Sequence, residues 1–112
     1  MVDCYMKLNP DWKKFLHDYL VTPQARELQQ RVMNEYSKYK ICPPQDKVFS
    51  ALNSCTPESV RVVILGQDPY FNVGQATGMC FSIDPNAKCD FPPSLRNIIK
   101  EINDEFDDLF FT

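Results

Sequence analysis

Apolar residues recur at helical spacing in three stretches of the first half of the chain. Trp12, Phe15, Leu16, Tyr19 and Leu20 follow Asn9-Pro10, where Asn suits an N-cap and Pro the first helical turn. Thr22-Pro23 repeats that start signal, and the helix it opens is expected to run to about Tyr39. Leu28, Val32, Tyr36 and Tyr39 form its apolar side. Pro43-Pro44 breaks the chain, and a short helix is predicted to turn Val48, Phe49 and Leu52 inward. Such stripes are packing faces before they are anything else.

The pattern changes after the turn Thr56-Pro57-Glu58. Val60 to Leu65 is rich in β-branched residues and apolar on both faces, which predicts a buried parallel strand ended by Gly66. Met79 to Ile83 predicts a second short strand. After a proline-rich loop, Ser94 to about Phe106 predicts a helix with Leu95, Ile98, Ile99 and Ile102 on its buried side. Helices, strand, strand, helix imply an α/β fold: three-layer α/β/α with a parallel sheet that has only begun. The apolar terminus Leu109-Phe110-Phe111-Thr112 adds to the expectation of a truncated domain, with residues 1–112 as its N-terminal part. No repeat or low-complexity segment interrupts this order.

Composition narrows the class. At 112 residues the chain is long enough for one domain, and 44% hydrophobic with 24% charged residues is ordinary globular usage. The longest apolar run, Val62 to Leu65, is too short to cross a membrane, so no membrane partner is expected. No secretory signal pattern opens the chain. Net charge is −3, with the excess acid largely between Asp104 and Asp108, which argues against a protein held to nucleic acid by bulk electrostatics. It leaves room for an enzyme touching a few phosphates through loops. Five cysteines, Cys4, Cys42, Cys55, Cys80 and Cys89, include no C-x-x-C pair. Metal and thioredoxin-like readings lose their main support, and reduced, mostly buried thiols in an intracellular protein are expected. The sole histidine, His17, reads as a surface or packing residue of the first helix.

The candidate chemistry lies where the first expected strand runs into Gly66-Gln67-Asp68-Pro69-Tyr70. Ligand sites in open α/β sheets lie beyond the carboxyl ends of strands. Gly66 lets backbone approach a ligand closely, and Pro69 pushes Asp68 toward extended geometry. An acid held there suits the orientation of a water or the stabilisation of a cation. It equally suits an Asx turn that only organises the loop.

The run Val62-Val63-Ile64-Leu65-Gly66-Gln67-Asp68-Pro69-Tyr70 resembles the first signature of the family-1 uracil-DNA glycosylases. Gly74-Gln75-Ala76, Gly78 and Cys80-Phe81-Ser82 resemble the family segment that follows. Pro92-Pro93-Ser94-Leu95-Arg96-Asn97-Ile98 is similar to its proline-rich loop and next helix. Upstream, Pro43-Pro44-Gln45, Val48-Phe49 and the helix at Trp12 fit its earlier elements. The resemblance covers nearly the whole chain in order.

The resemblance implies a base-excision repair enzyme that hydrolyses the N-glycosidic bond of uracil in DNA. The nucleotide is flipped from the stack, and the sugar passes through an oxocarbenium-like state. By the same resemblance Asp68 is the catalytic residue, an ionised carboxylate orienting water and opposing the developing cation. Phe81 stacks on uracil, Tyr70 excludes the thymine methyl, and backbone at Gln67 donates to a uracil carbonyl. Pro44, Pro93 and Ser94 grip the DNA backbone. No metal and no cofactor are implied. Phe71 and Thr77 depart from the family, which usually has His at both positions; Phe71 in place of a His near the water is expected to slow turnover. The implied partners are uracil-containing DNA, a complementing C-terminal half bearing an Asn, a His and a DNA wedge, or a glycosylase-inhibitor protein. The implied compartment is nucleus or cytoplasm. The alternative is an inactive half-domain that binds DNA or protein.

Overall fold

The computed structural model describes residues 4–87 and 90–106. Cys89, the terminus Leu109–Thr112, and Asp107 and Asp108 of the acidic stretch lie outside the described residues.

Five α-helices are present among the described residues: α1 (Pro10–Phe15), α2 (His17–Leu20), α3 (Pro23–Lys38), α4 (Ser50–Asn53) and α5 (Pro93–Phe106). Single 3₁₀ turns occupy Cys4–Lys7, Gln45–Lys47 and Pro57–Ser59. The helix predicted after Asn9-Pro10 is two pieces, because Leu16 leaves helical geometry with φ −96° and ψ 7°. Asn9 does not cap with its side chain. Its Nδ2 donates to the Asn53 carbonyl at 3.3 Å, while its backbone N–H donates to Asn53 Oδ1 at 2.8 Å, so it ties α1 to α4. Thr22 does cap: its Oγ1 accepts from the Ala25 N–H at 3.2 Å and satisfies a donor that the first turn leaves orphaned.

The core belongs to the N-terminal helical layer. Leu8, Trp12 and Ala25 are buried there, and Ala76 is buried below the later loops. Polar groups carried inward find partners. The Trp12 indole N–H donates to the Cys55 carbonyl at 2.8 Å, and the Tyr5 hydroxyl donates to the Ala25 carbonyl at 2.9 Å. On α3, Val32 and Tyr36 are half-buried, whereas Leu28 and Tyr39 are exposed, so only part of the predicted stripe packs. On α5, Leu95, Ile98, Ile99 and Ile102 are half-buried along one side, as their spacing implies.

The expected three-layer α/β/α sheet is absent: no strand occurs among the described residues. Val60 to Leu65 is neither helix nor paired strand, and a sheet requires a neighbour to take its backbone donors and acceptors. Its side chains are not buried. Val62 and Val63 are 78% and 79% exposed, and Leu65 is 93% exposed. The second predicted strand fails for a different reason. Residues 79–81 turn, the Ser82 N–H donates to the Met79 carbonyl at 3.1 Å, and Phe81 has φ 64°. Strand geometry needs φ near −120° to −140°, so the chain cannot pass through Phe81 as a strand. No described helix is long and apolar enough to cross a membrane.

Candidate active site

Residues 66–71 belong to no helix or strand, and the chain bends at Gln67. Gly66 is needed for a close approach, but the neighbour is internal: a Cβ there would lie 2.8 Å from Cys80 Sγ. Asp68 is exposed, and its carboxylate takes no hydrogen bond or ion pair among the described residues, so no Asx turn forms. Tyr70 is half-buried, and its hydroxyl donates to the Phe81 carbonyl at 3.0 Å. Burial, and then the neighbouring Cys80, push the Tyr70 phenol above its ordinary range, which keeps it protonated and donating at neutral pH.

Phe81 occupies the left-handed region at φ 64°, a conformation that a bulky residue reaches only when its surroundings impose it. The loop around it is closed at its base, where the Asp84 N–H donates to the Gln75 carbonyl at 2.9 Å. Gly78, at φ 85°, presses on the turn Gln45–Lys47; a Cβ there would stand 1.9 Å from the Lys47 carbonyl oxygen. Lys47 Nζ also reaches Asp84 Oδ2 at 3.1 Å.

Between the 66–71 segment and this loop lies a cleft of about 700 Å³. Gln67, Asp68, Tyr70, Phe81 and Ser94 all line it. Pro44 and Pro93 do not, although their sequence neighbours Pro43 and Ser94 do. Pro93 and Ser94 are the first two residues of α5, and Pro44 precedes the turn Gln45–Lys47. An exposed carboxylate, three aromatic side chains and several hydroxyls therefore share one concave surface of a size suited to a small-molecule-sized group. Among the described residues no group of three His, Cys, Asp or Glu side chains could hold a metal ion.

No family model matches the chain. Curated proteins do. The chain is 43% identical over 100 residues to a protein of Bacteroides fragilis named uracil-DNA glycosylase 2, a match covering 89% of this chain and 44% of that one. It is 46% identical over 102 residues to the uracil-DNA glycosylase of Pseudomonas putida, covering 90% of this chain and 44% of that one. The Bacteroides thetaiotaomicron uracil-DNA glycosylase is 45% identical over 97 residues, with 87% and 43% covered. The chain is a sequence relative of the uracil-DNA glycosylases. It spans somewhat under half the length of these curated relatives.

Phe71 and Thr77, which the resemblance singled out as departures, both line the cleft, and Phe71 is 87% exposed. Other cleft features of this glycosylase relative escaped the sequence. Cys80 also faces the cleft and is exposed, contrary to the expectation of mostly buried thiols; Cys42 and Cys55 are half-buried, and all three are free. The Lys47–Asp84 pair joins residues 37 positions apart, and nothing in the local pattern pointed to it. Gly78 carried a usable signal, since a glycine in a loop just ahead of an expected strand suits a left-handed turn or a close backbone approach. His17 is exposed, with Nδ1 3.6 Å from Asp18 Oδ1, and lies in α2 away from the cleft lining.

Proposed function

We propose that this chain carries the water-activating and uracil-stacking side of a uracil-DNA glycosylase site, within the first part of such a domain. The observation that supports it best is the shared cleft: Asp68, exposed and unengaged, lines it together with Phe81, and the Tyr70 hydroxyl is bonded to the Phe81 backbone. In this reading DNA presents a flipped deoxyuridine to the cleft. The base stacks on Phe81, an interaction worth roughly 1–3 kcal/mol. Backbone at Gln67 donates to a uracil carbonyl, and the Tyr70 ring fills the space that a C5 methyl would need. The N-glycosidic bond breaks with the electron pair leaving on uracil. Asp68, ionised, opposes the positive charge developing on the sugar and orients the water that adds to it. Pro44, Pro93 and Ser94 hold the phosphate backbone on either side.

Excision at a full rate needs a group that stabilises the departing uracil anion, and a complementing C-terminal segment is its proposed source; a glycosylase-inhibitor protein would compete for the same face. The work belongs wherever cellular DNA is repaired, nucleus or cytoplasm. The test is incubation with uracil-containing single-stranded DNA, with and without the C-terminal portion of a relative, followed by alkaline cleavage at abasic sites. Cleavage that depends on Asp68 and spares thymine-containing DNA is expected. Excision that persists in Asp68→Asn would overturn the reading. A second reading, a binding module that leaves DNA uncut, draws on the exposed run Val62 to Leu65. It predicts uracil-independent binding and no cleavage under either condition.

A further inference from the structure

We infer that Lys47 and Asp84 act as a positioning pair that fixes the loop carrying Phe81 against the turn Gln45–Lys47. The consequence for uracil rests on the reading of the cleft given above; the geometric argument does not.

Residue 47 grips the loop at two points. Its carbonyl lies against Gly78 so closely that a Cβ would sit 1.9 Å from the oxygen. Its ammonium lies 3.1 Å from Asp84 Oδ2 on the loop's other limb. Phe81 is between those two points in the chain. Asp84 is itself held at three positions: its Oδ1 accepts from the Asn86 N–H at 2.8 Å, its Oδ2 takes the lysine, and its own N–H donates to the Gln75 carbonyl at 2.9 Å. Both carboxylate oxygens are used, so the carboxylate has one direction. The pair is partly shielded, with side chains 37% and 19% exposed for Lys47 and Asp84.

Apolar packing does little to hold this loop. Met79 and Phe81 are 42% and 38% exposed, and Ala76 is its buried apolar anchor. The left-handed Phe81 therefore persists through polar contacts: the Tyr70 hydroxyl on its carbonyl, the closure at Gln75, and the pair to Lys47. The Lys47 N–H donates to the Pro44 carbonyl at 2.8 Å, so the same residue links the proline turn to the stacking loop. Neither Lys47 nor Asp84 lines the cleft. They set where Phe81 stands.

The test uses the 112-residue chain and four variants: Lys47→Met, Asp84→Asn, both together, and Lys47→Arg. Amide hydrogen exchange at Asp84 and Ser82 reads the loop, and the Phe81 ring signals during titration with free uracil read the stacking face. Each neutral substitution is expected to speed loop exchange by about threefold to fivefold, the range of a partly exposed pair. Lys47→Arg keeps the charge and retains protection. The double substitution adds little to either single one, because the interaction is already gone. Unchanged exchange in both neutral variants, or fully additive effects, overturns the pair. Exchange that follows the charges while the unsubstituted chain gives no uracil-dependent shift overturns the uracil reading and leaves the positioning pair standing.

Discussion

Gly78→Ala is the sharpest perturbation that the loop offers, because two separable costs meet at one atom. Gly78 has φ 85°, so any Cβ incurs the left-handed penalty of roughly 1–2 kcal/mol. The same Cβ would also lie 1.9 Å from the Lys47 carbonyl oxygen, with Ser50 Cβ at 3.1 Å behind it. Restoring an ordinary carbon–oxygen separation of about 3.3 Å moves one wall by about 1.4 Å. Forcing such a shift typically costs a further 1–3 kcal/mol or so. Gly78→Ala should therefore destabilise the loop by roughly 2–5 kcal/mol. Gly74→Ala supplies the control: its φ is 88°, yet nothing stands within 4 Å of the added carbon, so it carries the backbone cost alone. Residue-resolved urea titration by NMR over residues 75–84 compares the two. Gly78→Ala should melt that loop well before Gly74→Ala does, with the signals of Trp12 and Ala25 in the helical layer little moved. Equal midpoints for the two variants would refute the claimed collision and, with it, the grip of Lys47 on the loop.

Asp68→Asn keeps the shape of the cleft and removes its exposed negative charge, so excision in the complemented protein should fall by about a hundredfold or more while DNA affinity barely changes; alkaline cleavage and filter binding measure the two. Tyr70→Ala opens the space beside C5 and removes the hydrogen bond to the Phe81 carbonyl, so release of thymine should become detectable as uracil release declines, by product chromatography. Tyr70→Phe separates the two effects: it should keep thymine excluded while loosening the Phe81 turn. Asp84 supplies a pH dependence whose sign is fixed. The Asn86 N–H and then Lys47 hold its carboxyl below the ordinary aspartate value of 3.8, so its contribution is complete above about that pH and is lost as pH falls through the lowered folded value. Loop amide protection should stay flat from neutrality to about pH 4 and decline only below it; protection that decays between pH 7 and 5 contradicts the assignment.

Helix starts were legible because their signals are local. Pro10 and Thr22-Pro23 each open a helix, the Thr22 hydroxyl does cap, and the last helix begins at Pro93, one residue before the expected Ser94. The sheet was misread because a strand's pattern reports what a segment is fit to bury, not whether a neighbour is present to pair with it. Val60 to Leu65 has that composition, yet lies unpaired and exposed from Arg61 onward. The meeting of Asp68, Tyr70, Phe81 and Ser94 in one cleft was reachable only through motif resemblance, since these residues span 27 positions and three local structures. The conformation of Phe81 was not reachable at all. A Phe flanked by Cys80 and Ser82 looks like strand, and its left-handed backbone is set by partners at residues 70, 75 and 47.

The two halves of the molecule are held by different physics, which decides how the site responds to change. The helical layer is fixed by buried apolar side chains and by polar links between distant segments, such as Trp12 to Cys55 and Asn9 to Asn53. The cleft is fixed by a few hydrogen bonds, one ion pair and a glycine contact around residues 75–84. Hydrophobic burial is non-directional and tolerates small shifts in position. Hydrogen bonds are directional and weaken steeply when misaligned. Substitutions in the helical layer should therefore lower the population of folded chain and leave the shape of the cleft intact in what remains folded. Substitutions at Lys47, Tyr70, Gly78 or Asp84 should do the reverse, displacing Phe81 in a chain whose helices persist. Phe81 is where this matters most, because a left-handed aromatic has a lower-energy alternative available whenever its polar partners let go.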